Sequence, residues 1–101
     1  MKKHSVHDYH VYDLMDRLLQ KKYALVISDY HYKTFTLEGQ VDVLAARDTG
    51  NKRTIHFYEV KCHYSQQNHE KAKQQYERFK KVYPDWNTKG ILYTPERVVR
   101  L

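Results

Sequence analysis

Two neighbouring stretches, Gly39-Gln-Val-Asp42-Val-Leu-Ala-Ala46 and Thr54-Ile-His-Phe-Tyr-Glu59-Val-Lys61-Cys62, decide how this chain folds. Both are rich in branched or aromatic residues and too short for separate helices, which is the pattern of β-strands. Between them Asp48-Thr-Gly50-Asn51 is a turn signal, so the second stretch pairs back on the first as a hairpin. Each strand holds one carboxylate, Asp42 or Glu59, inside an otherwise apolar run. Ionised carboxylates are almost never buried in such a setting without a partner or a metal. The strand period of two puts Glu59 and Lys61 on one face and Val60 on the other, so one hairpin brings Asp42, Glu59 and Lys61 together.

Upstream, Ser5-Val-His-Asp8 has the form of a capping box. Val11, Leu14, Met15, Leu18 and Leu19 follow at helical spacing, giving an amphipathic helix over about residues 6–22. Tyr23 to Ile27 and Phe35 to Ala46 read as the first two strands, and Thr54 to Cys62 as the third. After Ser65, a suitable N-cap, Ala72, Tyr76, Phe79 and Tyr83 recur at helical spacing until Pro84 ends the pattern. Lys89 to Thr94 reads as a fourth strand, and Val98-Val99 as a short terminal one beyond Pro95. The order is α-β-β-β-α-β. A helix crossing from the third strand to the fourth implies a parallel pair, hence a mixed α/β sheet with helices packed on it.

Composition sets bounds on this picture. At 101 residues and 12.3 kDa the expectation is one domain spanning 1–101. The 41 % hydrophobic content, with only three Gly and two Pro, fits a packed globule. Met1-Lys-Lys-His-Ser5 leads into His7, Asp8 and His10 without the apolar region of a signal peptide, and no aliphatic run is longer than that of Ala24 to Ile27. No membrane segment is expected, and the lone Cys62 fits a cytoplasmic, reducing setting. Cys62 follows Lys61 onto the opposite strand face, as a small buried hydrophobe. The net charge is +6, and Lys61 to Lys81 carries six basic groups against Glu70 and Glu77, or +4 of that total. Lys71, Lys73, Arg78 and Lys80 form a basic face suited to nucleic-acid phosphates. Zinc at His4-x-x-His7-x-x-His10 lacks a fourth ligand.

Asp42 and Glu59, helped by the Val60 carbonyl, make an all-oxygen pocket suited to Mg²⁺ or Mn²⁺, with substrate phosphate and water completing the shell. Such a cation polarises a phosphoryl oxygen and acidifies water, while Lys61 orients that water or neutralises developing charge. The implied reaction is phosphodiester hydrolysis. Gly39-x-x-Asp42 followed by Glu59-x-Lys61 resembles the motifs of the PD-(D/E)xK nuclease superfamily, with Val41 in place of the proline. The resemblance covers nearly the whole chain and is greatest to archaeal Holliday-junction resolvases, with RecB-like and viral nucleases as close rivals. It implies a restriction-endonuclease-like core, DNA as substrate, a metal held by Asp42, Glu59 and the Val60 carbonyl, and catalysis by Asp42, Glu59 and Lys61. Gln75 on the second helix is a further catalytic candidate on the same ground. The resemblance also implies a contribution from the first helix, for which His10, Asp13 and Asp16 are the candidates.

In this composition an E-x-K arises by chance about 0.6 times, whereas a suitably placed G-x-x-D arises roughly 0.03 times, so the pair carries the signal and neither half does alone. A homodimer would set two sites against two phosphodiesters of a junction or duplex. Against this enzyme stands a non-catalytic nucleic-acid-binding or assembly module of the same fold, in which the carboxylates and Lys61 form a structural ion pair. Tyr76 and Phe79, on the helical stripe, are expected in the core. Gln40 is expected within reach of the site, and Glu38, about 13 Å from Asp42 at the strand rise, outside it.

Overall fold

A computed structural model describes residues 5–21 and 23–101. The elements are α1 (Val6–Leu19), β1 (Leu25–Lys33), β2 (Glu38–Asp48), β3 (Arg53–Val60), α2 (Gln66–Lys80), β4 (Asn87–Tyr93) and β5 (Val98–Arg100). The strands form one sheet in chain order; β3 and β4 are parallel and the other neighbours antiparallel. This is a small α+β fold with a five-stranded mixed sheet and two helices. No helix among the described residues is long and apolar enough to cross a membrane.

α1 begins where the capping box places it. The Ser5 hydroxyl accepts the Asp8 N–H and the Asp8 carboxylate accepts the Ser5 N–H, satisfying two donors that the first turn leaves open. The helix stops at Leu19, three residues short of the sequence-based bound. Val11, Leu14 and Leu18 pack on one sheet face against Val43, Ala45, Tyr58, Val60 and Tyr93. α2, capped by Ser65, lays Tyr76 and Phe79 on the opposite face against Tyr32, Val41, Leu44, Ile55 and Phe57. Both rings are core, as the helical stripe predicts. Each helix thus covers one side, and β3 alternates between them, with Phe57 toward α2 and Tyr58 and Val60 toward α1.

The alternation fails once, in β1 and β2 together. Val41 and Leu44 both face α2, although residues three apart on a regular strand face opposite ways. Across the ladder, Val26 faces α1 whereas Tyr30 faces α2. The register is unbroken on either side of the Asp29–Asp42 step, which itself makes no bridge. Asp29 sits there with φ of 54°, the left-handed region that L-residues rarely adopt and Asp tolerates best. The step therefore flips side-chain direction without shifting register. It also explains why β1 continues to Lys33, well past the expected end at Ile27: Ser28-Asp29 resembles a turn, but is a kink within one strand. The hairpin turn comes later, where Thr34 and Leu37 bond to each other, so β2 starts at Glu38 and not at Phe35.

Two glycines permit close packing. The Tyr32 ring lies against Gly39, its cross-strand partner, so the motif glycine has a packing role. A Cβ on Gly90 would meet the Tyr76 ring at 2.5 Å. Gly90→Ala should therefore lower stability by about 1–3 kcal/mol in urea denaturation, as overpacked sites do. Adding Tyr76→Leu should recover part of that loss, and full additivity of the two costs would contradict the contact.

Candidate active site

β2 and β3 pair from Asp48↔Arg53 up to Val43↔Tyr58 and then part. Asp42 and Glu59 are the next residues on each strand. In the gap, Asp42 Oδ2 accepts the Val60 N–H at 2.8 Å, so a side chain replaces a ladder carbonyl. Glu59 follows Phe57 in facing α2 and is only 5 % exposed. The Asp42 charge acts on its carboxyl, and Lys61 Nζ stands 3.6 Å from Glu59 Oε1. The Asp42 and Lys61 side chains remain 17 % and 32 % exposed, so the cluster opens to solvent on one side. The three side chains that the motifs single out are thus together.

Burial first, and the Asp42 charge second, push the Glu59 carboxyl up to about 8, while Lys61 pulls the other way without prevailing. A buried carboxyl whose charge is disfavoured by a second carboxylate marks a place where a cation is favoured. Asp42, Glu59 and the Val60 carbonyl are hard oxygen donors of the kind Mg²⁺ and Mn²⁺ take. Gln75 Oε1 is buried with no hydrogen-bond partner, an acceptor left open on α2. Its position is set by the packing of Tyr76 over Gly90, which pairs with Phe57. Among the described residues no three His, Cys, Asp or Glu side chains form a metal cluster of their own. The donor set fits a cation that keeps several waters and borrows substrate oxygens, as Mg²⁺ does, better than a closed zinc site.

The residue that α1 brings to the site is His7. Its Nε2 donates to the Val60 carbonyl at 2.8 Å and lies 3.5 Å from Asp42 Oδ2. The carbonyl keeps a second lone pair for another ligand. His10 and Asp13, the expected first-helix contributors, lie one and two turns further along and line a different pocket with Tyr93, Thr94 and Arg97. Asp13 is engaged there by the Tyr93 hydroxyl at 3.0 Å and Arg17 at 3.3 Å, and Asp16 is exposed. His7 had been visible only as part of a histidine triplet at helical spacing; which histidine reaches the sheet depends on how α1 crosses it. Gln40 also departs from expectation, because it bonds Asp29, and the Asp29–Asp42 kink breaks the face it was to share with Asp42. Cys62 is half-buried, less enclosed than expected.

The basic residues of α2 are dispersed. Lys73 and Arg78 line an open groove of about 500 Å³ with Lys81, Leu37, Glu70 and Glu77. Lys80 pairs with Glu77 at 3.3 Å and lies over the Tyr76 ring at 5.1 Å, while Lys71 is exposed. Glu70 and Glu77 interleave with these cations along the groove.

The raised Glu59 carboxyl has a consequence for stability. Its folded value of about 8 lies above the ordinary 4.5, so between those limits the folded state holds a proton that the unfolded chain releases. Stability in EDTA is then greatest below about 4.5 as far as this group is concerned, and falls as pH rises through about 8. Each kcal/mol lost should lower Tm by about 4–8 °C in a domain of this size. Glu59→Gln should flatten that fall in thermal melts, and an equal slope in both proteins would exclude Glu59 as its source. Comparison of the chain with protein-family models and with curated proteins gives no match.

Proposed function

We propose that this chain is a divalent-metal-dependent DNA nuclease built on a restriction-endonuclease-like core of the PD-(D/E)xK type. The observation that carries the reading is the Asp42–Glu59 carboxyl pair at the point where β2 and β3 part, with Lys61 3.6 Å from Glu59. Asp42 and Glu59 would hold Mg²⁺ or Mn²⁺ together with one lone pair of the Val60 carbonyl. When bound, the cation supplies Lewis acidity to a phosphoryl oxygen and lowers the pKa of water.

The chain's own residues do the rest. The Val60 N–H fixes the Asp42 carboxylate in direction, so its free oxygen is presented without reorganisation. Glu59 must release its proton as the cation enters, and Lys61 is near enough to stabilise the resulting carboxylate. The Lys61 ammonium, still partly exposed, can also orient the attacking water and offset negative charge on the phosphoryl group. Gln75 Oε1 offers an acceptor for that water from the helix side. His7 orders the Val60 carbonyl and borders the Asp42 side of the site. A homodimer acting on branched DNA inside the cell, as in the junction resolvases, is the version of this reading that gives so small a chain two cutting sites.

Labelled single strands, duplexes, flaps and four-way junctions, incubated with Mg²⁺, Mn²⁺ or EDTA, test the proposal. Wild type should cut only with metal. Asp42→Asn should abolish cutting while retaining DNA binding, and Lys61→Ala should reduce it by about 10²–10³-fold. Cutting that persists in Asp42→Asn, or in EDTA, would refute the assignment. Because one proton leaves Glu59, Mg²⁺ affinity by calorimetry should weaken about tenfold per pH unit below about 8. A pH-independent affinity would place the metal elsewhere.

A further inference from the structure

On the α1 face, beyond the end of the helix, the sheet carries a second concentration of polar groups. Arg47 continues the alternation of Val43 and Ala45, and Thr54 and His56 continue that of Tyr58. Lys89 continues that of Ile91, and Arg100 pairs directly with Ile91 across β4 and β5. α1 ends at Leu19 and leaves this region uncovered. Tyr23, Arg47, Thr49, Lys52, Thr54 and His56 line a pocket there of about 260 Å³.

The pocket is organised. The Tyr23 hydroxyl meets His56 Nδ1 at 2.8 Å, and the Tyr58 ring stands edge-on to that of His56 at 6.4 Å. When Tyr23 donates to Nδ1, the remaining ring nitrogen of a neutral His56, Nε2, carries the proton as a donor. Arg47 lies over the Tyr23 ring at 4.9 Å, which holds its guanidinium at the rim. Lys89, Arg47, Lys21 and Arg100 are the charged groups that act on His56, and all are cations. The carboxylates of the described ion pairs are taken by Arg17, Arg53, Lys61, Lys80 and three histidines other than His56. No carboxylate among the described residues pairs with Lys21, Arg47, Lys52, Lys89 or Arg100. Like charges gathered without a counter-charge repel one another, and a polyanion relieves that repulsion. Three kinds of donor, guanidinium, ammonium and hydroxyl, converge on a space large enough for a phosphate and its sugar.

We propose that this pocket is a second, non-catalytic site that binds the phosphodiester backbone of nucleic acid. Glu59 faces α2 and His56 faces α1, so the two sites open on opposite sides of the sheet and take separate stretches of the polymer. The proposal shares nucleic acid as ligand with the nuclease reading but does not depend on cleavage.

Binding of a labelled duplex in EDTA, followed by anisotropy over a range of salt, provides the test. If Arg47 and Lys52 each neutralise a phosphate, Arg47→Gln with Lys52→Gln should make the log–log salt slope shallower by about 1.8. An unchanged slope in the folded variant would overturn the site. On wild-type protein, imidazole NMR signals of His56 should move when the duplex is added, and immobile signals would overturn it without recourse to any variant. Polyglutamate or inorganic pyrophosphate moving those signals while the duplex does not would overturn nucleic acid as the occupant. A shallower slope in the variant alongside a wild type that cuts nothing with metal would uphold this site and remove only the nuclease reading.

Discussion

A sheet with one helix on each face has no idle side on its central strands. Every side chain of β2 and β3 between the helices must be apolar or must have its polarity answered, because the transfer of a bare carboxylate into such an interior costs several kcal/mol or more. Leu44, Phe57, Val43 and Tyr58 meet the first condition. Asp42 and Glu59 meet the second only because the strands part immediately beyond Val43 and Tyr58. The Val60 N–H, Lys61 and His7 then occupy the space that a continuous ladder would have filled. The rest of the molecule follows from that requirement: α2 must cross over to cover Phe57, and α1 must reach Val60 from the other side.

The same requirement makes much of the fold legible in the amino-acid sequence. Helical stripes through Val11, Leu14 and Leu18 and through Ala72, Tyr76 and Phe79 are local and strong, as is the pairing of the Asp42 and Glu59 strands through the Asp48–Asn51 turn. The convergence of Asp42, Glu59 and Lys61 follows from strand pairing and a period of two, both properties of short segments. What was not legible depends on angles between segments or on a single dihedral. Asp29 at positive φ looks like a loop residue, so β1 reads as half its length and Gln40 is assigned to the wrong neighbours. His7 rather than His10 or Asp13 meets the site because of the direction in which α1 crosses β3, and that direction is fixed by packing of residues far apart in the chain. The basic region around His56 is not legible for a related reason: the charges that act on it come from β2, β4, β5 and the segment after α1, and no window of sequence holds them together.

Charge is distributed accordingly. The run of lysines on α2 is conspicuous in sequence but is interleaved with Glu70 and Glu77 in space. A second positive region lies where isolated residues of several elements meet around His56. Register across the sheet thus gathers positive charge that clustering along the chain does not reveal.

The kink at Asp29 has one more consequence, for the company the protein keeps with itself. β1 lies at the edge of the sheet and, at nine residues, is long enough to offer a row of unpaired amides to another chain. The flip at Asp29 divides that row into two short pieces pointing different ways, and Lys33 and His31 stud the outer half. The opposite edge, β5, has only three residues. A broken edge and a brief one are both poor templates for strand addition, so the dihedral that shapes the approach to Asp42 also guards the sheet against growing into a fibre.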